Sequence, residues 1–186
     1  MNTALVTRRG LLGAFAATMV VAAPTSSKAF GFLKGAGDIR RIRMFSGRTG
    51  ESIDLVYWIE GDYIKEAMAE ISRFMRDVRN NEVIGIDPRT IDIAAASHRL
   101  MEATAPYNML SGYRSQATND AMRRVSRGVA KNSLHIQGQA ADLRLEGRST
   151  TQIFNAAKSC GAGGVGRYSR SNFVHMDCGP IRTWAG

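Results

Sequence analysis

The chain has few cysteines, few histidines and no long hydrophobic run, and each shortage excludes a class of protein. Two cysteines are too few for a disulfide-stapled miniprotein or a four-thiolate zinc site. No apolar run approaches the ~20 residues that a membrane span needs, and no period of about 20–50 residues indicates a solenoid. What is present, 186 residues of which 44% are hydrophobic, predicts one soluble globular domain rather than a disordered chain.

The first 29 residues have the pattern of an export signal. Arg8 and Arg9 form a positive start, and residues 11–23 (LLGAFAATMVVAA) form a short apolar stretch. As a helix this stretch would span only about 20 Å, which is too short for a membrane anchor. Small residues before Phe30 suggest cleavage at that point. We expect a signal peptide over 1–29, a flexible lead-in over 30–37, one domain over 38–186, and no stable membrane anchor after cleavage.

The paired arginines favour one export route. The segment Thr7-Arg8-Arg9-Gly10-Leu11-Leu12 resembles a twin-arginine signal. A mildly hydrophobic stretch and a positive charge at Lys28, near the expected cleavage site, are typical of such signals. We therefore expect the twin-arginine export machinery as a partner, and a mature protein in the periplasm or cell envelope.

The mature chain is basic. Without residues 1–29 it keeps 22 basic and 16 acidic residues, a net charge of +6. In an exported protein this excess suggests an anionic partner such as peptidoglycan, or it serves only solubility. The basic residues are scattered and no aromatic-interleaved patch appears, so nucleic acid is not an expected partner. We expect a monomer.

Hydrophobic periodicity places helices early in the mature chain and concentrates strands late. A turn at residues 46–51 predicts a β-hairpin near the start. The strands are predicted at 39–45, 52–58, 107–110, 140–145, 165–168, 173–178 and 181–184. The helices are predicted from Asp62 to about Arg79, from Pro88 to about Ala103, from Ser115 to Val125 and from Ser149 to Ser159. This order predicts an α+β fold, with helices packed on a mainly antiparallel sheet.

Two histidines and one aspartate have the spacing of a metal site. Asp142 follows His135 by seven residues, with Gly138 between them to permit a sharp bend. His175 lies on a later predicted strand, so two strands can present these side chains to one point. Two imidazoles and a carboxylate make a three-ligand zinc site whose fourth position is open. On spacing alone, the alternative that these are ordinary core or surface residues stays open.

Three motifs resemble a known family. Residues 133–142 (SLHIQGQAAD) match the pattern S-x-H-x-x-G-x-A-x-D, residues 111–114 read SGYR, and residues 173–177 read FVHMD. Together they resemble the zinc D-Ala-D-Ala metallopeptidase superfamily, whose fold is shared with sonic hedgehog. Within it, the likeness is greatest to the branch typified by murein endopeptidase K, and it extends over residues 40–184.

The resemblance implies a role for five residues. It implies that His135, Asp142 and His175 bind Zn²⁺. It implies that Arg114 reaches the substrate or the oxyanion of the tetrahedral intermediate, for which a permanently charged, rigid guanidinium is suited. Ser133 would bind substrate, or it is a turn residue before the first ligand.

The general base is less defined. Several carboxypeptidases of the superfamily have an acid three positions before the last histidine, where this chain has Asn172, which cannot accept a proton. Asp177 lies two positions after His175 and therefore on the same strand face. We expect Asp177 to be the base. The alternative is that it orients a ligand histidine.

The other histidine and the cysteines have no motif of their own. His98 lies among apolar residues of a predicted helix, and we interpret it as structural. Cys160 and Cys178 would form a disulfide in an oxidising compartment or remain buried thiols, and the sequence leaves both open.

The expected function is that of an exported zinc peptidase that hydrolyses peptide bonds in peptidoglycan stem-peptide cross-links. One alternative is a carboxypeptidase that trims a terminal D-amino acid from stem peptides. The other is a zinc-stabilised cell-wall-binding module without activity, as the fold shared with sonic hedgehog allows.

Overall fold

The computed structural model describes residues 37–126 and 128–186. The predicted signal peptide and most of the predicted lead-in lie outside the described residues. Within them, no helix combines the length and apolar character needed to cross a membrane.

The described chain forms one eight-stranded sheet, in the order β3-β2-β1-β4-β5-β7-β6-β8, with four helices. The strands are β1 (Ile39–Phe45), β2 (Ser52–Ile59), β3 (Asp62–Tyr63), β4 (Tyr107–Ser111), β5 (Ala140–Leu145), β6 (Gly164–Tyr168), β7 (Phe173–Asp177) and β8 (Arg182–Ala185). The helices are α1 (Lys65–Phe74), α2 (Pro88–Leu100), α3 (Gln116–Val125) and α4 (Thr150–Ser159). Only the β1–β4 and β6–β8 pairs of this sheet are parallel, which confirms the predicted α+β class with a mainly antiparallel sheet.

The hydrophobic core lies between the sheet and three of the helices. α1, α2 and α4 contribute Ile71, Ile91 and Ile153, all of which are fully buried against strand residues such as Leu143 and Val174. Such burial stabilises the fold by about 1.5–3 kcal/mol for each large aliphatic side chain. α3 differs, because its buried residues are the polar Thr118 and Asn119, and it lies beside the candidate site.

Side-chain caps begin three of the helices where the sequence predicted. The Asp87 side chain accepts a hydrogen bond from the Arg89 amide at the start of α2. The Ser115 side chain accepts one from the Thr118 amide at the start of α3. Ser149 and Gln152 form a complete capping box at α4. These caps satisfy amide groups that have no partner inside the helix.

The first predicted helix is wrong at both ends. Asp62 is not its cap; it lies in β3, paired with Ile59 of β2, and α1 begins only after Ile64. At the other end the Met75 carbonyl accepts from the Tyr113 amide at 2.7 Å. A longer helix would need that carbonyl for its own ladder, so α1 ends at Phe74. A tight hairpin at one end and a backbone hydrogen bond from Tyr113 at the other therefore override the local helical periodicity.

Candidate functional site

His135 lies in a short 3-10 turn, Leu134–Gln137, which precedes β5. Gly138 ends the turn with a φ of 68°, a left-handed conformation that glycine adopts without strain. The His135 ring is buried, and its Nδ1 lies 2.7 Å from the Gly112 carbonyl oxygen. The Arg114 amide in turn donates to the His135 carbonyl at 3.1 Å. The SGYR segment therefore holds the first histidine from both its ring and its backbone.

Asp142 and His175 are direct partners in the sheet. They pair in register across β5 and β7, so their side chains emerge on the same face. The His175 Nδ1 atom lies 2.9 Å from Asp142 Oδ1, and the His135 Nε2 atom lies 3.3 Å from the same oxygen. The structure thus brings the three predicted ligands together.

The spacing of the three ligand atoms fits a zinc ion. The two facing nitrogens, His135 Nε2 and His175 Nδ1, are 3.3 Å apart. Ligands bound at about 2.0–2.1 Å in tetrahedral geometry would be separated by about 3.3 Å. Both distances from His135 equal that edge length, and the third, between His175 and Asp142, is slightly shorter. No other group of three or more potential ligand residues was found in the described part of the chain.

Hydrogen bonds on the far side of each ring select the nitrogen that faces the site. The Gly112 carbonyl takes the Nδ1 proton of His135, and Asp177 takes the Nε2 proton of His175 at 3.0 Å. Each imidazole therefore has the tautomer in which a lone pair is available to a metal.

In the protein without a metal, two residues of the cluster have strongly shifted pKa values. Burial alone would raise the pKa of the Asp142 carboxyl, but the two imidazoles lower it far below its usual range. Burial would lower the pKa of His175, but hydrogen bonds to Asp142 and Asp177 outweigh it and raise that pKa to about 9. The protonated His175 ring then lies between the carboxylates of Asp142 and Asp177, and its positive charge stabilises both of them, as a bound metal cation would.

Asp177 has a full set of partners. Its side chain is completely buried, and Oδ1 accepts from the amides of Gly164 and Gly179 at 3.1 and 2.9 Å. Arg182 donates to both oxygens, at 3.1 and 2.7 Å, and His175 donates to Oδ2. Burial opposes ionisation, but the bonds from His175 and Arg182 lower the pKa of Asp177 to about 2. The general-base role stays a prediction, and these contacts favour the orienting alternative.

Arg114 borders the three ligands and is buried. Its guanidinium donates to Asn119 at 3.2 Å and to Ser111 at 3.3 Å, and lies 3.7 Å from Asp142 Oδ2. Its Nε atom is buried and has no hydrogen-bond partner among the described residues. A buried donor without a partner is costly, so this atom is a point of unfavourable energy beside the candidate ligands.

The ligands open onto a groove of about 410 Å³. Ser133 lines this groove directly before the 3-10 turn, and its side chain makes no capping hydrogen bond there. Among the described lining residues, the only acid or imidazole groups are the three ligands themselves.

Sequence reasoning missed the aromatic wall of the groove. Tyr168 and Phe173 stack with ring centroids 4.5 Å apart, and the Trp184 indole donates to the Tyr168 hydroxyl at 2.9 Å. The Trp184 ring also lies 5.3 Å from the His175 ring. The period-two spacing of Arg182 and Trp184 in the last strand was the available signal, since it places both on one face.

The remaining histidine and the cysteines lie outside the cluster. His98 is buried, with its Nε2 atom 2.7 Å from the Ala105 carbonyl and its ring against Tyr107. Cys160 and Cys178 are both buried and are not bonded to each other; the Cys160 thiol contacts the Ala156 carbonyl at 3.4 Å.

Comparison with known proteins gives a consistent set of relatives. A family model described as peptidoglycan L,D-endopeptidase MepK matches residues 34–184. The chain is 46% identical over 136 residues to peptidoglycan L,D-endopeptidase MepK of Escherichia coli K12, covering 73% of this chain and 75% of that protein. It is 39% identical over 139 residues to the probable peptidoglycan L,D-endopeptidase MepK of Haemophilus influenzae, covering 74% and 75%. Among solved structures, the Serratia marcescens L-Ala D-Glu endopeptidase ChiX matches with a TM-score of 0.40 at 18% identity, covering 61% of this chain and 87% of that one.

Proposed function

The chain belongs to the peptidoglycan L,D-endopeptidase MepK family, and from this premise we propose that it cuts peptidoglycan cross-links between an L- and a D-configured centre. The membership confirms the family and the peptidase class predicted from the sequence. The observation that carries the proposal is the tetrahedral spacing of His135, Asp142 and His175 at the floor of an open groove.

The metal proposed for this site is zinc, held by those three side chains. The chemistry that zinc supplies when bound is Lewis-acid polarisation of the scissile carbonyl and activation of the attacking water. The donor set of two neutral imidazoles and one carboxylate is one of those that catalytic zinc sites use, with a fourth position left open. The protein's part is to orient both rings through Gly112 and Asp177, so that in the neutral form of each imidazole the lone pair points into the site.

Arg114 is proposed to hold the oxyanion that forms on the substrate carbonyl. The bonds to Asn119 and Ser111 fix the guanidinium beside the ligands before substrate arrives, so little reorganisation is needed during reaction. Ser133, at the groove edge, is proposed to bind the substrate backbone.

Asp177 is proposed to orient His175 rather than to accept the proton of the water. The carboxylate contacts Nε2 of His175, whereas the opposite nitrogen, Nδ1, faces the other ligands. The imidazole ring therefore lies between Asp177 and the position of the metal. The two carboxylate oxygens of Asp177 already accept five hydrogen bonds, from His175, Arg182, Gly164 and Gly179.

A peptidoglycan substrate places the working enzyme at the cell wall. We propose that residues 1–29 direct it there through the twin-arginine route, that it works in the periplasm, and that it acts as a monomer.

Purified muropeptides test the endopeptidase function. A cross-linked dimer and an uncross-linked pentapeptide are incubated separately with the protein, with and without a zinc chelator, and the products are read by mass spectrometry. We expect monomers from the dimer, and no reaction with chelator. Release of D-alanine from the pentapeptide, with the dimer untouched, would support the carboxypeptidase. A zinc-loaded protein that cuts neither substrate would support a non-catalytic binding module.

A further inference from the structure

The last strand of the sheet reaches the metal cluster across its neighbour. In the sheet, β6 lies between β7 and β8. Across these three strands, Asp177 pairs with Gly164, which pairs with Arg182. Two residues along, His175 pairs with Gly166, which pairs with Trp184. Side chains that share a row share a face, so each glycine stands between a site residue and a β8 side chain.

The two glycines make this crossing sterically possible. A Cβ atom on Gly164 would lie 2.5 Å from an Arg182 guanidinium nitrogen and 2.6 Å from an Asp177 oxygen. A Cβ atom on Gly166 would lie 2.3 Å from the Trp184 ring. These separations are far below van der Waals contact. Because β6 has no side chain at Gly164 and Gly166, the side chains of Arg182 and Trp184 can pack directly on its backbone.

Arg182 uses that space to form a two-point contact. Its Nη1 atom donates to Oδ1 of Asp177 at 3.1 Å, and its Nη2 atom donates to Oδ2 at 2.7 Å. This fork-to-fork geometry fixes the plane of the carboxylate as well as its position. The guanidinium is itself held by the Pro180 carbonyl at 3.0 Å and lies 5.0 Å from the centre of the Trp184 ring.

We infer that Arg182 is a positioning residue: it fixes Asp177, and through Asp177 the orientation in which His175 presents Nδ1 to the metal. In the described part of the chain, the side-chain hydrogen bonds of Arg182 go to Asp177 and Pro180 and not to a candidate ligand, so its effect passes through the Asp177–His175 hydrogen bond of 3.0 Å. The inference rests on the proposed zinc site, and it adds β8 and the β6 glycines to the parts that build it.

Metal affinity tests this positioning role independently of any measurement of peptidase activity. The purified protein is titrated with Zn²⁺ against a chromophoric chelator, and the Co²⁺-substituted protein is examined by its visible d–d absorption. We expect Arg182→Gln to weaken Zn²⁺ binding by about tenfold, the lower end of the effect of outer-shell partners, and to shift the Co²⁺ bands. Arg182→Lys keeps the charge but bonds at one point, so an intermediate result is expected. Gly164→Ala should act in the same direction as Arg182→Gln.

Two variants serve as matched controls. Arg167→Gln removes the same charge from β6, where Arg167 contacts Thr151 rather than Asp177. Gly85→Ala adds a methyl group where nothing lies within 4 Å. Both should bind Zn²⁺ and Co²⁺ as the unmodified protein does. Circular dichroism of each variant separates loss of the fold from loss of the site.

The outcomes distinguish this inference from the proposed function. If Arg182→Gln binds Zn²⁺ with unchanged affinity and gives unchanged Co²⁺ bands, the inference is overturned while the zinc site stands. If Arg182→Gln does not fold, unchanged affinity and bands in Arg182→Lys overturn it equally. If the unmodified protein binds no Zn²⁺, the proposed function fails together with the inference.

Discussion

The Nε2 atom of His135 and the Nδ1 atom of His175 face each other at 3.3 Å. Neither nitrogen donates to the other in a metal-bound site, because both lone pairs are then needed for the metal. In the metal-free protein a proton takes the place of the metal, since Asp142 and Asp177 together raise the pKa of His175 to about 9. In the proposed zinc site, zinc and a proton therefore compete for one position.

The first prediction is that zinc binding releases about one proton at pH 7. His175 is charged in the metal-free protein below about pH 9, so zinc affinity should rise with pH, by up to tenfold per unit, and level off near pH 9. Calorimetric titration of Zn²⁺ in buffers of different ionisation enthalpy measures the protons released. A zinc affinity that does not change between pH 6 and 8 would contradict the competition.

The second prediction concerns the ligands. His135→Ala or His175→Ala should abolish zinc binding and peptidase activity, because each removes one of three ligands. The matched control is His98→Ala, since His98 is buried against Ala105 and Tyr107 and not in the cluster. Metal content after dialysis is the measurement, with one zinc per chain expected for the unmodified protein. Full zinc occupancy in His135→Ala would refute the site.

The third prediction separates the two roles of Asp177. Asp177→Asn removes the charge that orients His175, so zinc affinity should fall by about 10–100-fold. Activity should recover largely at saturating zinc. Retained zinc affinity with a rate loss of roughly 10²–10⁴ would instead identify Asp177 as the base. Asp54→Asn, at an exposed ion pair with Arg41, is the control for loss of a carboxylate.

The fourth prediction uses two glycines with nearly equal backbone conformation. Gly138 and Gly147 have φ of 68° and 70°, so alanine at either costs about 1–2 kcal/mol in a left-handed conformation. A Cβ atom on Gly138 would also lie 2.7 Å from the Gly85 carbonyl oxygen, whereas a Cβ atom on Gly147 would have no described atom within 4 Å. Denaturant unfolding should show that Gly138→Ala loses more stability than Gly147→Ala. Equal losses would mean that the 3-10 turn can shift without cost.

Part of the candidate metal site was predictable because its signal is local. Ser133, His135, Gly138 and Asp142 fall within ten residues, and the αL bend at Gly138 is the one that glycine permits. The period-two spacing also placed Asp142 and His175 on strand faces that meet in register. The spacing alone left open whether these residues bind a metal, and the family resemblance implied the ligand set; the structure brings the three side chains together.

The contribution of β8 was not predictable in the same way. Its function depends on Gly164 and Gly166, whose role is to have no side chain, and on a parallel pairing between β6 and β8. The start of α1 was wrong for a different reason, because Asp62 carries the signal of a helix cap but pairs with Ile59, three residues earlier, in a tight hairpin. There two local signals compete, and the sequence pattern alone does not decide between them.

The contact between Trp184 and His175 gives the protein a built-in fluorescent reporter. The chain has two tryptophans, and Trp58 is buried on β2, four strands from β7 and about 19 Å away at normal strand spacing. Trp58→Phe therefore leaves one indole, 5.3 Å from a ligand ring. Replacement of the His175 proton by zinc changes the surroundings of that indole, so its emission would report binding of the metal without a label.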